Sequence, residues 1–360
     1  MTETIESAAV DEEFTFRPTD GIGRSRIFFN TRTNSDDYLE RCRFLDAHMR
    51  NSKGSRWSVR GLVADPLPAA EIGRRLGFTT PVEVTTITAP AAGSGPAYLW
   101  VSRNRSERVP DQATQDETLR RMHRLDGYQR AFTGRFRAET ETLLDKAAHA
   151  GLRVVCNDPR GDWGSERVDA RTFTRLISHL FYYDAPTADL MLRGTGYSTH
   201  GHYLFALRAP NGAQLCYFMI AEWPWGWEGT YTMLDGRYAG PSIRLGAARI
   251  LMLLANALFL GRHGADALVY GEANAMNMRP CIQSGYVGQV PHIIPGPHPV
   301  HVNVAWADHP VGTFGTDGQA PGTPPSFTDT PYAHYSVGRL APELVTPFTE
   351  RALRFLDVRG

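Results

Sequence analysis

The stretch that most constrains the fold runs over 214–286, where strand and helix patterns follow one another in a fixed order. Strand patterns cover 214–223 and 230–236, and a turn with glycine and proline leads into a long apolar helix pattern over 243–264. A third strand pattern covers 265–273, and a short helix pattern ends in Gly285-Tyr286. A turn that opens a helix directly after a strand presents free backbone N–H groups and the positive end of the helix dipole. Such a turn suits a phosphate-bearing ligand.

Strand and helix patterns also alternate through the rest of the chain, which predicts an α/β fold with a mixed sheet. A length of 360 residues is sufficient for two domains. We predict an acidic disordered leader over 1–20, a first domain over 21–150 and a second domain over 151–305. A proline- and glycine-rich loop is predicted over 306–340, followed by a C-terminal helix over 341–360.

Composition excludes several classes of protein. The chain is 42% hydrophobic and carries no net charge, and no apolar run is long enough to span a bilayer. The N-terminus is polar and lacks the apolar core of a secretory signal. The four cysteines show no metal-site spacing, so we expect free thiols and no metal. These features predict a cytoplasmic protein without a membrane partner, and they leave the oligomeric state open.

Arginine supplies almost all of the positive charge, because Lys53 and Lys146 are the only lysines. This skew indicates a GC-rich coding genome and leaves few candidates for a lysine nucleophile. Positive residues concentrate in the first half of the chain. Among them, a patch that includes Trp57 is either a phosphate-binding surface or a solvated basic loop; its cations are Arg50, Lys53, Arg56 and Arg60.

The turn RYAGPS lies between a strand and the long apolar helix, and it places Arg237, Gly240 and Ser242 at its first, fourth and sixth positions. This turn resembles the pyrophosphate turn of the GNAT superfamily of N-acyltransferases, in which an Arg or Gln precedes two small residues at a helix start. The resemblance implies that a donor phosphate binds there. Pro241 removes one backbone N–H from the turn, which departs from the family pattern. A proline-initiated helix start is the alternative interpretation.

The segment EANAMNMRPCIQSGY is similar to the next GNAT element, with Asn274 at the family's asparagine and Tyr286 in its terminal Gly-aromatic pair. Cys281 stands where many members have the tyrosine that protonates the leaving thiolate. By this resemblance Cys281 is either a substitute acid or a structural thiol. Together the two motifs imply a GNAT-like second domain with the donor-binding strand–turn–helix. A looser resemblance to Fem-type transferases in the element order before 214 implies two GNAT-like domains in tandem.

Acyl transfer to an amine requires a base that removes the proton of the nucleophile. Glu222, at the end of a strand, stands where the resemblance places this carboxylate, and Glu228 follows on the next loop. The alternative interpretation of Glu222 is a surface carboxylate at the end of a strand. His200 and His202 alternate on one strand, where they could assist the base or orient the acceptor.

Three indoles crowd into five residues beside these carboxylates, at Trp223, Trp225 and Trp227. They are interpreted either as the wall of an acceptor pocket or as a hydrophobic plug.

Three functions are compatible with these sequence features. The element order before 214 resembles Fem-type transferases, which are tandem GNAT-like proteins that take amino acids from tRNA. This resemblance implies transfer of an aminoacyl group from aminoacyl-tRNA to a small amine, hydroxylamine or hydrazine in specialised metabolism. An acyl-CoA-dependent N-acyltransferase is the second possibility, and a non-catalytic binding module is the third. In the first two cases the donor is a co-substrate, and no tightly bound cofactor is expected.

Overall fold

The structure is a computed structural model, and it divides into Met1–Glu107 (unit 1) and Arg108–Gly360 (unit 2). No described helix is long and apolar enough to cross a membrane. The described residues are 14–20, 24–29, 33–51, 56–77, 84–88, 97–104, 112–158, 160–161, 163–181, 185–193, 201–223, 226–235, 238, 245–267, 269–274, 278–295, 304–305 and 332–358.

Unit 1 is built on a five-stranded mixed sheet in the order β1-β2-β3-β5-β4. Its strands are β1 (Phe14–Asp20), β2 (Arg24–Phe29), β3 (Arg56–Val63), β4 (Val84–Thr88) and β5 (Ala97–Asn104), and its helices are α1 (Ser35–Asn51) and α2 (Ala69–Leu76). The β2/β3 pair is parallel and the other pairs are antiparallel, so α1 is the crossover between the two parallel strands.

The core of unit 1 forms where α1 packs on β3. Tyr38 of α1 is fully buried, and its hydroxyl donates to the carbonyls of Val59 and, at 3.0 Å, Leu99. The indole N–H of Trp57 donates to Asp46 at 2.9 Å. These bonds satisfy polar atoms that would otherwise be unpaired inside the core.

Unit 2 contains the longer series of elements, and its sheet has eight strands. The strands are β6 (Arg153–Asn157), β7 (His202–Arg208), β8 (Gln214–Trp223), β9 (Gly226–Asp235), β10 (Val269–Asn274), β11 (Tyr286–Pro295), β12 (Val304–Ala305) and β13 (Tyr332–Leu340). The helices are α3 (Gln112–Thr133), α4 (Phe136–His149), α5 (Ala170–Phe181), α6 (Ala185–Leu192), α7 (Ala247–His263), α8 (Met278–Gln283), α9 (Pro342–Val345) and α10 (Thr349–Leu353), with a 3-10 turn over Thr346–Phe348.

The main strand order is β11-β13-β10-β9-β8-β7-β6, and β12 adds to β9. Along this path only β9 and β10 are parallel, and the long helix α7 connects them. β7 and β8 pair as an antiparallel hairpin, and Asn211-Gly212 between them is a dipeptide typical of tight turns between strands.

A β-bulge in β9 ends the pairing of the two parallel strands. Met219 pairs with Thr230 and Tyr217 with Met233, so three steps along β9 oppose two steps along β8. An extra residue of this kind bends a strand and increases its twist. Consistent with this bend, β10 pairs with β9 only up to Gly229, and β12 pairs with β9 at Leu234 and Asp235. The parallel strands therefore separate after Gly229.

The two faces of this sheet carry different helices. On one face the ring of Trp227 lies 4.4 Å from Phe259 of α7, and we call this the α7 face. On the other face Tyr217 meets Phe173 of α5, and we call this the α5 face. Residues 250–260 of α7 are all buried, which explains why this helix is apolar on every side.

Tyr286 fixes the last pair of residues before β9 and β10 separate. Gly229 and Gly271 are partners in the parallel ladder, and the Tyr286 ring packs over both of them. A Cβ at Gly229 would collide with the Tyr286 hydroxyl, and one at Gly271 would lie 3.0 Å from the ring. The hydroxyl donates to Asn256 of α7 at 3.3 Å, and both residues are buried. Only glycine leaves room for this ring on both strands.

Several predicted boundaries differ from the structure. The compact units divide after Glu107, whereas the predicted boundary at 150/151 falls between α4 and β6 inside unit 2. Part of the predicted leader forms strand β1, because the alternating sequence FTFRPTD pairs with β2. The predicted helix start at Ser242 lies outside the described residues, and α7 begins at Ala247 after Gly246, which has a φ of 69°.

The C-terminal region also differs from its prediction. Residues 332–340 of the predicted loop form β13, which is paired on both edges by β10 and β11. The predicted helix over 341–360 is broken into α9, the 3-10 turn and α10, because Pro347 cannot continue an α-helix. After α10 the chain extends, and Leu356 pairs with Val154 of β6.

We predict that Gly229→Ala lowers the free energy of unfolding by about 1–3 kcal/mol, because the added methyl group overpacks the site. Tyr286→Phe removes the colliding hydroxyl, so the double variant should be about 1 kcal/mol more stable than the sum of the single effects. Urea denaturation measures this coupling. Gly127→Ala is the control, because a Cβ there meets nothing within 4 Å. Additive effects at 229 and 286 would contradict the packing described.

Candidate functional site

A row of polar side chains crosses the α5 face at the level where β9 and β10 are last paired. His202 of β7 pairs with Ala221, Ala221 with Glu228, Glu228 with Tyr270, and Tyr270 with Arg339 of β13. Directly paired residues on neighbouring strands project to the same face, about 5 Å apart. We call His202, Glu228, Tyr270 and Arg339 the polar row.

Glu228 is the acidic member of the row and is only 2% exposed. It lies two residues before Thr230, where the bulge begins, and one residue before β9 leaves β10. A carboxylate that is withdrawn from water at the opening of a sheet can accept a proton from a bound nucleophile. This carboxylate was one of the two predicted bases.

Tyr270 is fully buried beside Glu228. Burial raises the pKa of its phenol to about 12, against the opposite effect of Arg339. The phenol is therefore protonated at neutral pH and can act as a proton donor.

His202 is buried at the inner end of the row, where its Nε2 bonds to the carbonyl oxygen of Met191 on α6. A carbonyl can only accept, so Nε2 carries the proton and Nδ1 is the acceptor. Nδ1 has no hydrogen-bond partner among the described residues. Burial lowers the pKa of His202 to about 4, against the effect of the Met191 bond, so the ring is neutral at pH 7.

A buried ion pair lies on the α5 face beyond the bulge. Asp235, the last residue of β9, is fully buried and pairs with Arg175 of α5 at 3.2 Å. Its backbone neighbour across the ladder is Ala305 of β12. β12 and this ion pair therefore bound the separated part of β9 at the end far from Glu228.

The structure does not bring the two predicted bases together. Glu222 pairs with Trp227, so it projects to the α7 face, opposite to Glu228. There its carboxylate forms an ion pair with Arg160, whose guanidinium also lies 5.9 Å from the Trp227 ring. β9 and β10 separate after Gly229, two residues beyond the Trp227 partner of Glu222, so Glu222 lies near the separation but on the opposite face from Glu228.

The predicted acceptor wall is divided in the same way. Trp227 packs against Phe259 and the His263 ring on the α7 face and is 8% exposed, which corresponds to the hydrophobic-plug alternative. His202 lies on the opposite face. Trp225 and His200 are outside the described residues, and Trp223 is described only as part of β8.

Two residues of the second motif are held by packing. Tyr286 is the ring that covers the paired glycines, and Cys281 is half-buried on α8. Burial raises the pKa of the Cys281 thiol to about 12. Asn274 is described only as the last residue of β10.

The predicted donor-binding turn, with Arg237, Gly240 and Ser242, lies outside the described residues. The adjoining first turn of α7 borders a groove of about 340 Å³. Its lining comes from α4 and α7 and consists of Ala138, Glu139, Thr142, Leu143, Lys146 and Arg249. The groove therefore combines two cationic side chains with the positive end of a helix dipole.

Arg249 is held at the edge of this groove by several contacts. Its Nε donates to the Gln283 carbonyl at 3.3 Å, Nη1 lies 3.8 Å from Glu139, and the guanidinium covers the Phe132 ring at 5.2 Å. Nη2 is buried without a hydrogen-bond partner among the described residues. Burial lowers the pKa of Arg249, with Glu139 acting in the opposite direction, and arginine stays protonated in either case. An anion in the groove would supply the missing acceptor.

The predicted basic patch of unit 1 is only partly described. Arg60 is 1% exposed on β3, so its guanidinium is not part of an exposed surface. Lys53 is outside the described residues, and Arg50 and Arg56 are described only by the elements that contain them.

Sequence reasoning missed Tyr270, Arg339, Lys146 and Arg249. Their positions depend on strand register and on helix packing. The only sequence pattern that could have pointed to one of them was the Tyr270-Gly271 pair inside an apolar strand. Among the described residues no group of acidic, histidine and cysteine side chains could hold a metal ion. The chain matches no protein-family model and no curated protein.

We predict that His202 makes unit 2 sensitive to acid. Its folded pKa of about 4 lies below the value of 6.5 for an exposed histidine, so the unfolded chain binds the proton first as the pH falls. The stabilising contribution is complete above pH 6.5 and decreases by about 3 kcal/mol by pH 4. Urea denaturation of the wild type and of His202→Gln, which cannot titrate, measures the difference in pH dependence. Equal pH slopes would contradict the neutral buried imidazole.

Proposed function

We propose that unit 2 is a GNAT-like acyltransferase that carries an aminoacyl group from aminoacyl-tRNA to a small amine, hydroxylamine or hydrazine. In this proposal the product belongs to specialised metabolism. The observation that carries the proposal is the buried Glu228 at the point where the parallel strands β9 and β10 separate.

The arrangement of the sheet supports this class of enzyme. The resemblance requires a strand, a turn, a helix that starts at an opening of the sheet, and a returning strand. In unit 2, β9, α7 and β10 follow in that order, and a bulge separates the two strands on the side from which α7 begins. Ligands in open sheets bind in such openings at the carboxyl ends of parallel strands.

Glu228 replaces Glu222 as the proposed base. Glu222 is neutralised by Arg160 on the α7 face, whereas Glu228 is next to the opening. In the proposal the Glu228 carboxylate accepts the proton that the amine loses as it attacks the acyl carbonyl. The buried position excludes water, which would otherwise compete for the acyl group.

The groove between α4 and α7 is the proposed site for a donor phosphate. Lys146 and Arg249 supply positive charge, and the buried Nη2 of Arg249 needs an acceptor. In the proposal these side chains compensate for the N–H that Pro241 removes from the turn.

The proposed function includes a choice between two acyl donors. An aminoacyl-tRNA is favoured because Cys281, with its raised pKa, is half-buried and is a poor substitute for the usual acid of thiolate departure. Acyl-CoA is the second candidate, and the compactness of the groove favours it, because one pyrophosphate would occupy such a site. A non-catalytic module would make no use of Glu228.

We predict that Glu228→Gln lowers the turnover number by about 10²–10⁴-fold, because the amide keeps the shape but cannot accept the proton. The measurement is label transfer to hydroxylamine as the trapping amine, from a charged tRNA pool and separately from acetyl-CoA. Glu222→Gln is the matched control and should retain most of the turnover. A Glu222→Gln variant that is inactive beside an active Glu228→Gln would reverse the assignment, and no transfer from either donor by the wild type would refute the proposed function.

We predict that Lys146→Glu raises the KM of the donor several-fold and leaves the turnover number almost unchanged, because a phosphate contact is lost away from the reacting atoms. The effect should decrease as salt is added. Arg137→Glu, a charge reversal on an exposed position of the same helix, is the control. Equal effects of the two variants would indicate general attraction to charge and no phosphate site in the groove.

A further inference from the structure

We propose that Tyr270 is the general acid of this acyl transfer and protonates the oxygen that leaves the acyl donor. The inference rests on the proposed function and extends it, because no sequence motif pointed to this residue.

The register of the sheet carries the inference. Tyr270 and Glu228 are direct partners in the parallel ladder, on the same face, one residue before the last pair at Gly229 and Gly271. Both side chains are buried, and Arg339 follows on the next strand. A donor and an acceptor of protons therefore come from directly paired positions, with their backbones about 5 Å apart, at the level where the strands separate.

The reaction needs two proton transfers at one carbon. The amine nitrogen attacks the ester carbonyl and forms a C–N bond while its proton passes to Glu228. The C–O bond to the tRNA ribose then breaks, and the hydroxyl proton of Tyr270 passes to the departing oxygen. Glu228 returns its proton to the Tyr270 phenolate, so ester and amine give amide and alcohol, and both residues regain their starting states.

The environment suits each residue to its role. A ribose alkoxide is a stronger base than a phenolate, so proton transfer from tyrosine to the leaving oxygen is favourable. The raised pKa of Tyr270 keeps the phenol protonated until that oxygen develops charge. Arg339, whose charge acts on Tyr270, stabilises the phenolate formed for a moment. Cys281 has no comparable partner in the ladder, since it lies on α8.

The leaving group provides the test. Tyr270→Phe should lower the turnover number with aminoacyl-tRNA by about 10²-fold or more, because an alkoxide would have to leave without a proton. With the p-nitrophenyl ester of the same amino acid the variant should transfer almost normally, because p-nitrophenolate leaves without help. Glu228→Gln should slow both donors. Tyr217→Phe removes a hydroxyl from a buried tyrosine on the same face and is the matched control, expected to be near wild type with both.

Each outcome decides the point. Equal losses with the two donors would assign Tyr270 a structural role, and no loss with aminoacyl-tRNA would exclude it as the acid. If Tyr270→Phe is poorly folded by circular dichroism, a fluorotyrosine placed at 270 makes a one-atom change that lowers the pKa of the phenol. At neutral pH this change should alter the turnover number with aminoacyl-tRNA and leave transfer from the p-nitrophenyl ester almost unchanged, and an unaltered turnover number with aminoacyl-tRNA would overturn the proposal. A wild type inactive with every donor would instead count against the proposed function.

Discussion

The packing of Tyr286 on the Gly229–Gly271 pair is the contact on which the architecture of unit 2 depends. The ring holds β9 and β10 together at one level, and the bulge that follows in β9 forces them apart. Glu228 and Tyr270 directly precede these glycines, so the same contact fixes the register of these two residues. The tyrosine is tied to α7 through Asn256, which couples the strand pair to the helix that joins it.

The polar row places ionisable side chains on a packed face of the sheet. A carboxylate, a phenol and a neutral imidazole lie where apolar side chains could pack, and the imidazole has one nitrogen without a partner among the described residues. A buried polar atom without a partner lowers stability. In the proposed function the carboxylate and the phenol are kept because acyl transfer uses them at the level where β9 and β10 separate.

Local patterns in the sequence predicted the elements of unit 2 well, and they failed where distant residues decide. The patterns of β8 and α7 are strong because most of each element is buried, and Asn211-Gly212 specifies the turn between β7 and β8. Sequence alone could not choose between Glu222 and Glu228, because that choice depends on which face each residue occupies and on the distant Arg160. β13 was predicted as a loop because its surroundings are rich in proline. It forms a strand because β10 and β11 pair with both of its edges.

The most direct measurement of the central claim is hydrogen–deuterium exchange of the wild-type protein with and without a saturating donor, either a charged tRNA pool or acetyl-CoA. If acyl transfer takes place where β9 and β10 separate, exchange should slow in peptides that cover 226–235, 245–250 and 269–274, as amides in the opening and at the start of α7 become protected. Protection confined to 158–164 and the adjacent end of β8 around Glu222, with no change in those three segments, would contradict the account.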